Sequence, residues 1–214
     1  MRSIRQCLLI AFAIAVLAPP AESADAAVEV VKRPAKIIRR TFDPQNPPKE
    51  MPPLTPPEAA LCQGESHIEA RVGGETTSGN DGFASLKVNK IEIELKLTIT
   101  VWTPKDAPKA IIDHEEAHRR IYEHYYRTAD AVARNVAKPY IGEQSELTTR
   151  DLDRRVDEVL SKITKEIMAK YNAAIPVEDA QKRFDVITDH SRKDVPVEEA
   201  MKQAIAEAKA AKPG

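Results

Sequence analysis

The sequence predicts an α+β fold in which a small antiparallel sheet is followed by one long helix and a helical C-terminal half. Three stretches carry that expectation. Short strand-like runs from Ser66 to Val72 and from Phe83 to Lys90 are separated by Gly73-Gly74 and by Ser78-Gly79-Asn80-Asp81-Gly82, residues that turn a chain. A longer run then alternates strictly: Ile91, Ile93, Leu95, Leu97, Ile99 and Val101 are apolar and Glu92, Glu94, Lys96, Thr98 and Thr100 stand between them. Such a strand has one dry face and one wet face. From Lys109 to about Lys138 the spacing becomes helical, with Pro108 at the first turn and Pro139 after the last.

At 100° per residue, Ile121, Tyr122, Tyr125, Ala129, Val132, Ala133 and Val136 share one face of that helix, which therefore looks inward. A second helix spans roughly Thr148 to Ala174, where Leu152, Val156, Val159, Leu160, Ile163, Ile167 and Tyr171 recur at helical spacing. A shorter helix covers Val177 to Ile187 and a tail helix Pro196 to Ala211. The tail is rich in Ala and Lys with few bulky apolar residues, so a loose attachment is expected.

The chain opens on Met1-Arg2-Ser3-Ile4-Arg5 and an apolar run from Cys7 to Ala18, followed by Pro19-Pro20 and small residues. Basic, apolar, small is the order of a secretory signal, with cleavage after Ser23 or Ala26. The apolar run is short for a membrane span, and no later segment is apolar enough, so no stable span remains after processing. A periplasmic or secreted protein follows. Cys62 is then a lone cysteine, unable to close an internal disulfide, and reads as a buried, inert thiol. Residues 27–60 are rich in proline and form an extended arm that starts with Lys32, Arg33, Lys36, Arg39 and Arg40. That basic stretch is a solvated one or a contact for anionic lipid or wall polymer. The division is thus 1–26 signal, 27–60 arm, 61–195 a single domain and 196–214 tail. With 32 basic and 33 acidic residues the chain has a formal net charge of -1, and nothing in that balance calls for nucleic acid.

The long helix contains His114-Glu115-Glu116-Ala117-His118, a His-Glu-x-x-His pattern. Two histidines four apart lie one turn above the other on the same side, so both imidazoles reach one zinc ion at about 2.0–2.1 Å. Glu115 sits 100° round, close enough to take a proton from water without ligating. This predicts a zincin-like domain with Zn2+ as cofactor, His114 and His118 as ligands and Glu115 as general base. Hydrolysis of a peptide or protein amide is the chemistry that suits it best. The strand Ile91 to Trp102 is expected beside the cleft, available to pair with an extended peptide.

A third ligand is needed. His124 stands at the offset used by peptidases that turn the chain at a glycine, but Ile121 occupies that position and the apolar stripe continues. His124 therefore faces away, about 120° from His118. His190 in Arg183-Phe184-Asp185-Val186-Ile187-Thr188-Asp189-His190 returns after the second helix and is the preferred ligand, with Asp189 or Thr188 supporting it. A loop histidine without a ligand role fits the spacing nearly as well, Glu158 is a weaker rival, and His67 reads as a sheet-surface residue. An electrophile beside zinc cannot be chosen among Arg183, Tyr171 and Tyr122.

With these motifs in place the chain resembles a family of bacterial secreted zinc-dependent proteases of largely uncharacterised function. They share an export signal, a β-rich start, an alternating strand before a long His-Glu-x-x-His helix, and a late Tyr-Asp-x-x-Thr-x-His-Gly segment. Phe184-Asp185-Val186-Ile187-Thr188-Asp189-His190-Ser191 is similar to that segment, and the likeness, over roughly residues 60 to 195, favours His190 as ligand. Ala117, Phe184 and Ser191 depart from the family's glycine, tyrosine and glycine. If a tyrosine hydroxyl at the second of these assists the reaction, this chain lacks it. The alternative function is a non-catalytic zincin-like metal-binding or structural protein of the envelope.

Overall fold

A computed structural model describes residues 27–79 and 82–211, so the expected signal segment and the Asn80-Asp81 turn residues lie outside the described residues. The chain forms β1 (Val28–Lys32), β2 (Lys36–Phe42), β3 (Leu61–Ser78), β4 (Phe83–Pro104), α1 (Lys109–Arg127), α2 (Ala129–Ala137), a 3-10 turn (Lys138–Tyr140), β5 (Gln144–Thr148), α3 (Leu152–Ala174), α4 (Val177–Thr188) and α5 (Val197–Ala210). The α+β class holds, but the sheet is not the small antiparallel one expected. Its five strands are arranged around β4, with β1 and β2 parallel to it and β3 and β5 antiparallel. Alternation tells which face of a strand is dry. It does not tell which strand pairs beside it or in which direction, and here the loop from 43 to 60 carries the chain from one flank of β4 to the other.

The two parallel strands come from the proline-rich stretch. Val28, Val30, Val31, Ile37 and Ile38 are β-branched, and the prolines fall between and after the strands rather than inside them. The segment is extended, as expected, but much of it is paired and belongs to the sheet. Its cations are engaged as well: Lys32 with Asp130, Arg33 with Glu94, Arg39 with Glu116 and Arg40 with Glu50. The stretches from Phe83 and from Ile91 join into one strand, β4, whose odd-numbered residues from Ile91 to Val101 are buried. β1 lies along Ile91 to Leu95 and β2 along Thr98 to Pro104 on one flank, with β3 on the other, so β4 has no free edge over that length. A peptide cannot pair with it there. Among the described residues β1, β2, β3 and β5 each pair with β4 alone.

The expected single helix from Lys109 to Lys138 is broken at Thr128 into α1 and α2, and the expected second helix begins at Leu152 instead of Thr148, the residue on which β5, paired with Phe83 to Lys87, ends. The main core fills the space between the sheet and α2 and α3, around Ile91, Leu95, Ile99, Ala133, Ile167 and Tyr171. A second core joins α1 to the α4–α5 pair: Ala117, Ile121 and Tyr125 pack with Ala180 and Phe184 and with Ala200, Met201, Ala204 and Ile205. The tail is therefore docked through small residues that let α5 approach closely, and is not the loosely held helix its composition suggests. Among the described residues no helix is long and apolar enough to cross a membrane.

The long β3–β4 hairpin changes register at Gly73/Gly74. A Cβ on Gly74 would stand 2.8 Å from Leu86 Cδ1 and 2.9 Å from the Lys87 carbonyl oxygen, so the bulge needs a residue without a side chain. Gly74→Ala is expected to lower the unfolding free energy by about 1–3 kcal/mol. Urea unfolding checks this, and a midpoint equal to that of the unchanged protein would show that the bulge yields freely.

Candidate metal centre

Helix α1 presents His114, Glu115 and His118 to its buried side, and all three are nearly out of solvent. Opposite them lies α4, whose residues 181, 184, 185 and 188 recur at intervals of three and four and so share one face. That face supplies the hydrogen-bond and ring partners that meet the two imidazoles from α4. His114 Nε2 and His118 Nε2 are 3.1 Å apart. Asp185 Oδ1 is 3.2 Å from the first and 2.9 Å from the second. Phe184, fully buried, stacks on the His114 ring at 4.9 Å and meets the His118 ring edge to face at 5.0 Å.

His114, His118 and Asp185 therefore form a cluster that could hold a metal ion. The fit is geometric. Three ligand atoms on a tetrahedral ion with bonds of about 2.0–2.1 Å stand about 3.3 Å from one another, close to the triangle present here. It is chemical as well. The Gln181 amide nitrogen donates to the His118 carbonyl at 3.0 Å, so its amide oxygen must be the atom that faces His118 Nδ1, at 2.5 Å. An amide oxygen only accepts, so Nδ1 carries a proton, and Nε2, which faces the Asp185 carboxylate, is the nitrogen that would release its proton to hold an ion. The Thr188 hydroxyl spends its proton on the Phe184 carbonyl at 2.8 Å and can only accept from His114 Nδ1, 3.5 Å away. Both rings are thereby turned to offer Nε2 to the same point.

Electrostatics follow from this crowding. Burial would raise the Asp185 carboxyl, but its hydrogen bonds to His114 and His118 and their charge hold it well below the usual carboxylate range. Burial lowers His114 despite the same carboxylate. For His118 burial also acts downward, but the hydrogen bond and charge of Asp185, with Glu115, outweigh it and leave the group raised. Glu115 is pushed up to about 7, chiefly by burial, and its carboxylate accepts a hydrogen bond from the backbone N–H of Cys62 on β3. A cation between the histidines would reverse much of that upward push.

The centre opens into a cleft of about 320 Å³ lined by Glu58 to Cys62, Tyr122, Gln181, His190, Ser191 and Arg192 among others. His190 is in it, but not where a third ligand was expected. Its Nδ1 is 3.6 Å from Asp185 Oδ1 and its side chain is 31% exposed, while Asp185 fills the third donor position one turn earlier in the chain. Asp189, His190 and Ser191 all have positive φ, at 47°, 53° and 65°, so α4 ends in three successive left-handed residues that aim this rim at the cleft.

Sequence reasoning passed over Asp185 because a histidine five residues on drew the assignment. The available signal was its place in a helix, at 181, 185 and 188, facing the His-Glu-x-x-His face. The other sequence candidates are placed elsewhere. His124 Nε2 bonds Lys209 on α5, His67 is exposed on β3, Glu158 pairs with Arg154, and Arg183 pairs with Glu207. Tyr171 is in the main core, so of the three proposed electrophiles only Tyr122 lines the cleft. Tyr122 lies against Gly64, where a Cβ would come within 2.3 Å of its ring, and its hydroxyl is hydrogen-bonded by the Gly64 backbone N–H. Cys62 is partly buried in the same cleft, and burial, with the charges of Glu115 and Glu116, pushes its thiol far up and so disfavours the thiolate.

Two substitutions separate ligand from support. Asp185→Ala is expected to abolish stoichiometric binding of a divalent transition metal, and Gln181→Leu to weaken it about 10–100-fold with the fold intact. His190→Ala should leave one ion per chain. Equilibrium dialysis with elemental analysis reads all three, and metal lost from the His190 variant but kept by the Asp185 variant would exchange their roles. Compared with protein-family models, with curated proteins and with solved structures, the chain matches none.

Proposed function

We propose that the chain is an exported zinc-dependent metallopeptidase, with His114, His118 and Asp185 as ligands and Glu115 as general base. The observation that carries it is the meeting of three converging donor atoms with a buried fourth group, Glu115, that is held off the donor triangle by the Cys62 amide and faces the same cleft. Two nitrogens and one carboxylate oxygen are a donor set that zinc favours, and three protein ligands leave a position open, as catalytic sites require. Zinc, when bound, would bring the pKa of water down toward about 7 and polarise a substrate carbonyl.

The chain's own residues supply the proton traffic and the shape. Glu115 is placed to accept the proton that attacking water gives up and to pass it to the departing amine, a role worth about 10²–10⁴ in rate. Its burial favours holding that proton between the two steps. The Gly64 N–H already donates to the Tyr122 oxygen, which leaves the Tyr122 O–H free to donate to an oxygen that gains negative charge. His190, on its left-handed rim, is a second donor facing the same space. Phe184 excludes water from the inner side of both imidazoles, which keeps their tautomers and positions fixed.

A metal-binding envelope protein without catalysis is the second reading, favoured by Phe184 standing buried where a tyrosine of the resembled family would bring a hydroxyl. Glu115→Gln separates the two. Zinc content is expected to stay at one ion per chain while cleavage of an unfolded protein substrate, followed by mass spectrometry of the fragments, falls by at least two orders of magnitude. Equal cleavage by the variant would remove Glu115 from the mechanism, and zinc-loaded protein that cleaves nothing would favour the second reading.

A further inference from the structure

A cavity of about 640 Å³ adjoins the metal cleft and is walled mostly by apolar residues. Phe42, Met51 and Leu54 line it together with Pro44, Pro47, Pro48, Pro52, Pro53 and Pro104. Its two charged residues are Lys49 and Glu58, and the Glu58 carboxylate is already engaged by the Thr55 backbone N–H at 2.9 Å. Beneath it lies Trp102, buried with Phe42 and Met51 and flanked by Leu54 and Leu61, with the Arg40 guanidinium 5.0 Å from its ring centroid. Proline has a fixed φ and no rotamer freedom to lose, so such a wall is preformed before anything enters.

Three residues tie this cavity to the centre. Glu58 and Ala59 line both spaces, and Leu61 lines the metal cleft while packing against the Trp102 cluster. The chain from Ala59 to Cys62, whose amide holds Glu115, spans at most about 11 Å, the length of about three residues of an extended substrate. Dry walls beside a polar reaction site are the usual division between what positions a substrate and what transforms it.

We propose that the proline-walled cavity is the specificity pocket of the metal cleft and takes a large apolar side chain, of the leucine or phenylalanine kind, from a peptide substrate within about three residues of the bond at the centre. This rests on the metallopeptidase reading and names its substrate class. Entry of the side chain removes apolar surface from water against Met51, Leu54 and Phe42, and places a ligand beside the only tryptophan in the sequence.

The test uses zinc-loaded Glu115→Gln protein and blocked seven-residue peptides of alanine, serine and glycine, into which one leucine is moved position by position. Binding is followed by Trp102 fluorescence and by calorimetry. Peptides with leucine at one or two positions are expected to bind about tenfold or more tighter than the all-small peptide and to change the fluorescence. Met51→Lys and Leu54→Asp should each erase that preference, and Met51→Leu should keep it. Equal binding of leucine and all-small peptides overturns the proposal, as does a preference unchanged in both charged variants. A chain dimer that Met51→Lys splits would assign the cavity to a second copy and likewise overturn it. Because binding is read in the Glu115→Gln protein, a leucine preference that the charged variants erase, alongside wild-type protein that cleaves no peptide, sinks the hydrolase reading and leaves the pocket standing.

Discussion

One carboxylate organises this molecule. Asp185 stands within hydrogen-bond distance of both imidazoles on α1, with the His190 ring 3.6 Å away, and these contacts offset the cost of taking most of its carboxylate out of water. A buried charge without partners is expelled or neutralised. The position of α4 against α1 is thus coupled to the protonation and ligation of the pair His114 and His118. Any displacement of α4 by an ångström or two would open the triangle, because Gln181, Phe184 and Thr188 travel with Asp185 on the same face.

Around that contact the fold is a set of constraints on α1. On one side Arg39 from β2 grips Glu116 through two hydrogen bonds, the Cys62 amide grips Glu115, and the Tyr122 ring rests where Gly64 has no side chain. On the other side Ala117 and Ile121 are packed against α4 and α5. Consecutive residues of one helix turn are thereby held from opposite directions, which fixes the rotation of α1 about its axis. Metal-binding histidines four apart are useful only if that rotation is fixed, since both must look at one point.

Much of this was legible in the sequence, for reasons that differ by element. The helices showed themselves through three- and four-residue spacing and through Pro108 and Pro139, and the α3, α4 and α5 boundaries fall within a few residues of the expected ones. The motif placed His114, Glu115 and His118 on a buried face. What stayed hidden were relations between distant segments. The five residues Gln144 to Thr148 carry too little pattern to announce a strand, and direction in a sheet leaves no trace in alternation. Val28 to Lys32 was masked by the prolines that follow it. Asp185 was overshadowed by His190, since a carboxylate on an exposed-looking helix turn is ordinary until another helix is laid across it.

The docking of α5 on α4 has a consequence for how the centre comes into being. The strands and α1 are made first, and a chain that has reached residue 174 already has the sheet and both histidines. The third donor and both imidazole supports arrive only with α4, whose inner residues Ala180 and Phe184 are covered on their far side by the last helix of the chain. Any ion held by all three donors would therefore be captured only after α4 has docked on α1. A product that stopped before α4 would carry the motif yet have nothing to close the triangle over it.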